Sequence, residues 1–145
     1  MKQTYTYEVN GFQIHAEYEE KDIETIFIPL LQKWKEMQKK AGRRILVFLS
    51  APPGTGKTTL VQFLEYLSEQ EADMEPIQAI GLDGFHYHQQ YILTHEACVE
   101  GEIVPMKEVK GCPETYDLEK LRAKIHELRK GGEIRWPIYS RAIHD

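Results

Sequence analysis

Polar and apolar residues alternate through "TYTYEVNGFQIHAEY", the period of two that turns one face of a strand to a core and the other to water. The alternation straddles Asn10-Gly11, a pair suited to the left-handed residues of a tight hairpin turn, so strands are predicted at about residues 4–9 and 12–18. The period then changes. From Asp22 to Lys40, the residues Ile23, Ile26, Phe27, Leu30, Leu31, Trp34 and Met37 fall on one helical face. Phe27 and Trp34 read as core anchors on that stripe, and Pro29, which lacks an N–H, predicts a kink or a restart. Ile45 to Leu49 is almost continuously apolar, as a parallel strand covered on both faces would be. Leu60, Phe63, Leu64 and Leu67 mark a following helix, and Ile77 to Leu82 a second buried strand. A last helix is predicted over about 118–130, with Asp117 as N-cap and Gly131-Gly132 as stop, before a final strand "EIRWPIY". This order predicts an α/β fold of three layers, helices on both faces of a parallel sheet, preceded by the hairpin and helix of residues 1–42.

Between the first buried strand and its helix lies "APPGTGKTT". It matches G-x-x-x-x-G-K-[ST] except that Ala51 stands where the first glycine usually does. Such a loop binds phosphate because glycines reach the turn that converges backbone N–H groups, and the next helix adds its positive end. Pro53, Gly54, Thr55, Gly56, Lys57, Thr58 and Thr59 are therefore the expected nucleotide-binding residues. Lys57 is expected to reach the β- and γ-phosphates and Thr58 to offer its hydroxyl to Mg²⁺. Asp83 ends the second strand, on the sheet rim where ligands of open parallel sheets lie.

Composition narrows the classes. With 145 residues, 41% of them hydrophobic, one core and one domain over 1–145 are expected. No stretch approaches the roughly 20 apolar residues of a membrane span, and "MKQTYTYEVNG" has no apolar signal core, so a soluble cytoplasmic protein without a membrane partner is expected. A net charge of −5 argues against a nucleic-acid partner. Cys98 and Cys112 lack metal or redox spacing and read as free thiols, and His86-x-His88 lacks the further ligands a zinc site needs.

The segments "APPGTGKTT", "LDGFHY", "KGCPETYD" and "WPIYSRAIHD" come in that order. Together they resemble the P-loop kinase family of uridine kinase, phosphoribulokinase and bacterial pantothenate kinase, most of all its fructose-transport-type sugar kinase branch, over residues 43–145. The resemblance implies ATP and Mg²⁺ as cofactors and phosphoryl transfer to a hydroxyl of a small metabolite: a sugar, a nucleoside or a pantothenate-like acceptor. It implies that Asp83 takes or orients the acceptor's proton near the metal, with Lys57 as its catalytic companion. His86 and Tyr87 would border the acceptor, Lys110 would neutralise an anionic one, and Thr115 or Tyr116 would line its pocket. Asp117 fits that pocket and a helix cap equally. Tyr139, Arg141 and His144 would touch the acceptor. "PPGTGKT" is also the wording of AAA-type ATPases, but these need an apolar run ending in Asp-Glu, and "AIGLDG" ends in Asp-Gly. A non-catalytic nucleotide-binding module is the third reading. The resembled kinases continue with a lid and further strands, so this chain is expected to lack them and to self-associate through an incomplete sheet.

Overall fold

The computed structural model describes residues 1–9, 12–71, 73 and 75–140. The chain groups into two compact units, Met1–Ala79 and Ile80–Asp145, each with its own buried cluster.

The first unit opens with β1 (Lys2–Val9) and β2 (Phe12–Glu19), antiparallel from Lys2 opposite Glu19 to Val9 opposite Phe12. The Asn10-Gly11 turn expected between them lies outside the described residues. A three-residue helical turn, α1 (Glu20–Asp22), leads into a π-helical turn, Ile23–Phe27, and then α2 (Ile28–Ala41). The kink expected at Pro29 takes that form: the widened turn lies just before the proline, which occupies the first turn of α2 where a missing N–H costs nothing. Gly42, at φ 61, ends α2 by donating to the carbonyls of Gln38 and Lys39.

The loop after Arg44 leads to α3 (Lys57–Gln70). Its Phe63, 0% exposed, is the centre of a core made with Ile23, Leu31, Leu64 and Leu67. The rings of Tyr18, Tyr5 and Phe27 stand 4.2, 4.6 and 5.7 Å from that of Phe63, so the hairpin and the turn before α2 both rest on α3. Trp34 packs against the same cluster.

The parallel sheet is where the structure departs from the pattern. Among the described residues the two sheets are antiparallel pairs, and residues 45–49, 77–82 and 133–139 carry no ladder. Phe48 is 66% exposed. An apolar run specifies what a strand would bury, but the strand exists only through a neighbour's N–H and C=O groups, and those pairings are long-range. Part of the second run instead bonds to side chains of α3. Ile77 N–H donates to Ser68 Oγ at 3.0 Å, and Ser68 Oγ donates to the Glu65 carbonyl at 2.7 Å. The Ala79 backbone bonds the Glu65 carboxyl, whose pKa burial nevertheless raises. Ser68 is fully buried. Ser68→Ala is expected to leave the Ile77 N–H without its acceptor and to cost about 1–3 kcal/mol, read as a lower urea midpoint at an unchanged slope.

Tyr7, in β1, has its pKa raised from 10.0 to about 12, by burial first and Tyr18 second. The neutral phenol is thus the form the fold prefers. Its contribution is complete below pH 10 and is lost as pH rises from 10 to about 12. Melting temperatures are expected to fall across that window, and Tyr7→Phe to lose its share of the slope.

The second unit contains α4 (Gln89–Thr94), β3 (Glu96–Val99) and β4 (Glu102–Pro105), with Glu96 opposite Pro105 and Val99 opposite Glu102. Within segment 88–109, which carries no recognisable motif, Ile92, Ala97 and Met106 make this unit's buried cluster. The turn between β3 and β4 holds Glu100 at φ 52 and Gly101 at φ 89. Last comes α5 (Leu118–Lys130), begun by Asp117, whose Oδ1 accepts the Lys120 N–H at 2.9 Å, and closed at Gly131. Among the described residues no helix is long and apolar enough to cross a membrane.

Candidate functional site

In the first unit the phosphate-loop motif is a tight turn before α3. Gly54 and Gly56 stand at φ 76 and φ 84, where a side chain is strained although no atom lies within 4 Å of where a Cβ would be. Conformation rather than crowding requires glycine here. Thr55 Oγ1 donates to the Pro52 carbonyl at 2.7 Å and braces the turn. The Lys57 ammonium, expected to extend toward phosphates, folds onto the carbonyls of Ala51 and Pro52 at 2.7 and 2.8 Å, the nearby groups that accept its protons. The N-terminus of α3 has no side-chain cap and no acidic residue in its first turn. Its first N–H groups are therefore left to an anion, with the helix dipole favouring one. This donor set fits a nucleotide polyphosphate. Thr58, exposed in the same turn, offers the single hydroxyl that suits Mg²⁺, an ion that keeps most of its waters.

In the second unit three stretches converge. Tyr87 N–H donates to the Thr115 carbonyl at 3.0 Å and Asp117 N–H to the Phe85 carbonyl at 2.8 Å, which lays residues 85–87 beside 115–117. Trp136 Nε1 donates to the Gly81 carbonyl at 2.7 Å while its ring meets Phe85 edge-on at 4.8 Å. A Cβ on Gly84 would stand 2.2 Å from the Pro137 carbonyl oxygen, so this close approach admits only glycine.

Asp83 opens a 3-10 turn, Asp83–Phe85, with its side chain exposed. Its carbonyl lies 3.0 Å from His86 Nδ1. A carbonyl only accepts, so Nδ1 carries the proton and Nε2 of the neutral ring is an acceptor. That Nε2 is buried and, among the described residues, has no hydrogen-bond partner. The His86 ring lies 3.8 Å from the ring of Tyr116 and 5.9 Å from that of Tyr139. Lys110 Nζ donates to Gln89 Oε1 at 2.8 Å and to the Tyr139 hydroxyl at 3.2 Å, and sits 5.3 Å from the Tyr139 ring centre. Burial, and then the charge of Asp83, raise the Tyr116 pKa. The cluster is a cation, two phenols and a free imidazole acceptor beside an exposed carboxylate.

Asp83, His86, Lys110 and Tyr139 are thus brought together. Tyr87 turns away, its ring 4.8 Å from Tyr91 and packed on this unit's core. Thr115 is fully buried, accepting from Gly111 N–H at 3.0 Å and donating to the Cys112 carbonyl at 2.8 Å. Of the two residues expected to line the acceptor pocket, Thr115 builds the loop and the neighbouring Tyr116 presents its ring to His86. Asp117 caps α5. Arg141 and His144 lie outside the described residues. Gln89 was missed, since it opens a short helix in a segment without a motif.

No family model matches the chain, and no solved structure matches it significantly. YggC of Escherichia coli (strain K12), itself uncharacterized, is 38% identical over 138 residues, covering 94% of this chain and 54% of that protein. The pantothenate kinases of Enterococcus faecalis and Streptococcus mutans are 26% and 24% identical over 142 and 141 residues, 86% of this chain and 43% of each kinase. The chain spans about half the length of these curated relatives. Its similarity to the pantothenate kinases is weak, at 24–26% identity.

Proposed function

We propose that the protein is an ATP-dependent kinase for a hydroxyl of a small metabolite: a sugar, a nucleoside or a pantothenate-like acceptor. The observation that carries this reading is His86 Nε2, a buried acceptor without a partner among the described residues, held near Lys110, Tyr139 and Asp83 as a site for a polar ligand would require. The distant kinase homology supports the same chemistry.

In this reading the turn Pro53–Thr59 holds the phosphates, with Lys57 leaving its loop carbonyls for the β- and γ-phosphoryl oxygens. Thr58 would offer its hydroxyl to Mg²⁺, and Asp83 a carboxylate, and the ion would supply charge neutralisation on those oxygens. The acceptor hydroxyl donates to His86 Nε2 or to the Asp83 carboxylate. Its oxygen bonds the γ-phosphorus as the bond to ADP breaks, and its proton passes to Asp83. Lys110, steadied by Gln89 and Tyr139, meets an anionic group on the acceptor. Residues 45–49 and 77–82 would then be strands of a P-loop three-layer sheet, whose backbone N–H and C=O groups are where neighbouring strands, or those of a second copy, would pair.

An AAA-type ATPase fits less well, because Gly84 stands where its second acidic residue belongs and admits no side chain. The test is ADP release with and without sugars, nucleosides and pantothenate, with the product identified by mass. Acceptor-dependent release is expected. Release at one rate whatever the acceptor would establish an ATPase, and binding without release a non-catalytic module.

A further inference from the structure

We infer that Tyr7 of the N-terminal hairpin is a positioning residue for the phosphate-binding turn, acting through a single peptide plane of α3. The inference rests on the phosphate-loop reading of residues 53–59. The Tyr7 hydroxyl donates to the Thr59 carbonyl at 2.6 Å. That carbonyl shares its peptide unit with the N–H of Leu60, which donates to the Gly56 carbonyl at 2.9 Å. The unit is planar, so a bond at one end orients the other, and hydrogen bonds in series strengthen one another. A line of two bonds therefore runs from β1 to Gly56, the left-handed residue on which α3 begins.

The side-chain bonds of Thr55 and Lys57 at that junction stay within its own loop, whereas Tyr7 ties it to another element. Gly56 provides no side-chain cap, and neither Gly54 nor Gly56 has a neighbour where a side chain would stand. A conventional cap would consume the first-turn N–H groups an anion needs. Tyr7 orders the same turn from its carbonyl side and leaves those donors free. The hairpin is a firm base for this, because Tyr18 stacks on the buried Phe63 of α3 and Tyr5 meets the same ring at a tilt. The raised pKa of Tyr7 keeps the hydroxyl a donor above pH 10 as well.

Titration calorimetry with Mg·ADP on the parent, Tyr7→Phe and Tyr5→Phe proteins tests this. Tyr5 is the control, since its hydroxyl donates to Gln3 within the hairpin. Tyr7→Phe is expected to bind about three- to tenfold more weakly, with Tyr5→Phe at the parent's affinity. Hydrogen exchange without nucleotide is a second readout, in which Tyr7→Phe should speed exchange of the Leu60 amide and Tyr5→Phe should not. Unchanged affinity and unchanged Leu60 exchange in Tyr7→Phe would overturn the inference. So would equal losses in both variants, which would mean the hairpin acts only as bulk support. A parent protein that takes up no Mg·ADP would fail the phosphate-loop reading itself, an outcome its own isotherm separates from the others.

Discussion

Replacing Lys57 with alanine is expected to slow phosphoryl transfer about 10²- to 10³-fold, the effect of removing one pre-organised donor from developing charge, and to weaken binding of Mg·ATP. The prediction follows from position. Lys57 is the first residue of α3, and its ammonium rests on two carbonyls of the same loop. Those are neutral acceptors, whereas a phosphate adds a full opposite charge on the acceptor side and so attracts the ammonium more strongly. The lysine therefore has reason to exchange one set for the other when a nucleotide arrives. Calorimetry with Mg·ATP and initial rates of ADP release measure both effects. Parent-like affinity together with parent-like turnover would remove the loop from the nucleotide site.

Asp83→Asn is expected to act on the other half of the reaction. It keeps the side chain's shape and removes its charge, so acceptor-dependent turnover should fall about 10²- to 10⁴-fold, the usual worth of a positioned proton acceptor. Nucleotide affinity should stay within tenfold, about 1.4 kcal/mol. A second readout does not depend on the substrate. The Asp83 charge helps raise the Tyr116 pKa, so the asparagine should bring Tyr116 down toward the value that burial alone sets, visible in an ultraviolet titration. Normal turnover with a lowered Tyr116 would mean that Asp83 faces Tyr116 as described yet has no part in the chemistry.

What could be read before the structure was what is written locally. The hairpin alternation, the stripes of α2, α3 and α5, the Asp117 cap and the two loop glycines each depend on residues a few positions apart. Proline at 29 signalled a break, though not that the break would be a π-helical turn. Pairing at a distance was not legible. The apolar runs of 45–49 and 77–82 look alike in the sequence, yet Ile77 bonds to a serine of α3 and Phe48 lies open. The acceptor cluster shows the same limit. Lys110 meets Gln89 from 21 residues away and Tyr139 from 29, and nothing in the periodicity of either segment encodes the meeting. Thr115 and Tyr116 are adjacent, and only the loop's hydrogen bonds decide which is inside. The short β3 and β4 strands, four residues each, hold too few repeats of any pattern to stand out.

Glu100 occupies a left-handed position that asparagine or glycine adopts at much lower cost. With Gly101 behind it, the turn has the positive dihedrals of the tight hairpin class in which Asn-Gly is favoured, the pair this chain places between its first two strands. Glu100→Asn is therefore expected to raise the melting temperature by a few degrees, the return of about 0.5–1 kcal/mol usual for a residue matched to its turn. Its practical worth lies in what it leaves alone. Position 100 is none of the residues assigned to nucleotide or acceptor, so the substitution supplies a hardier parent in which the disabling variants remain folded long enough to be assayed.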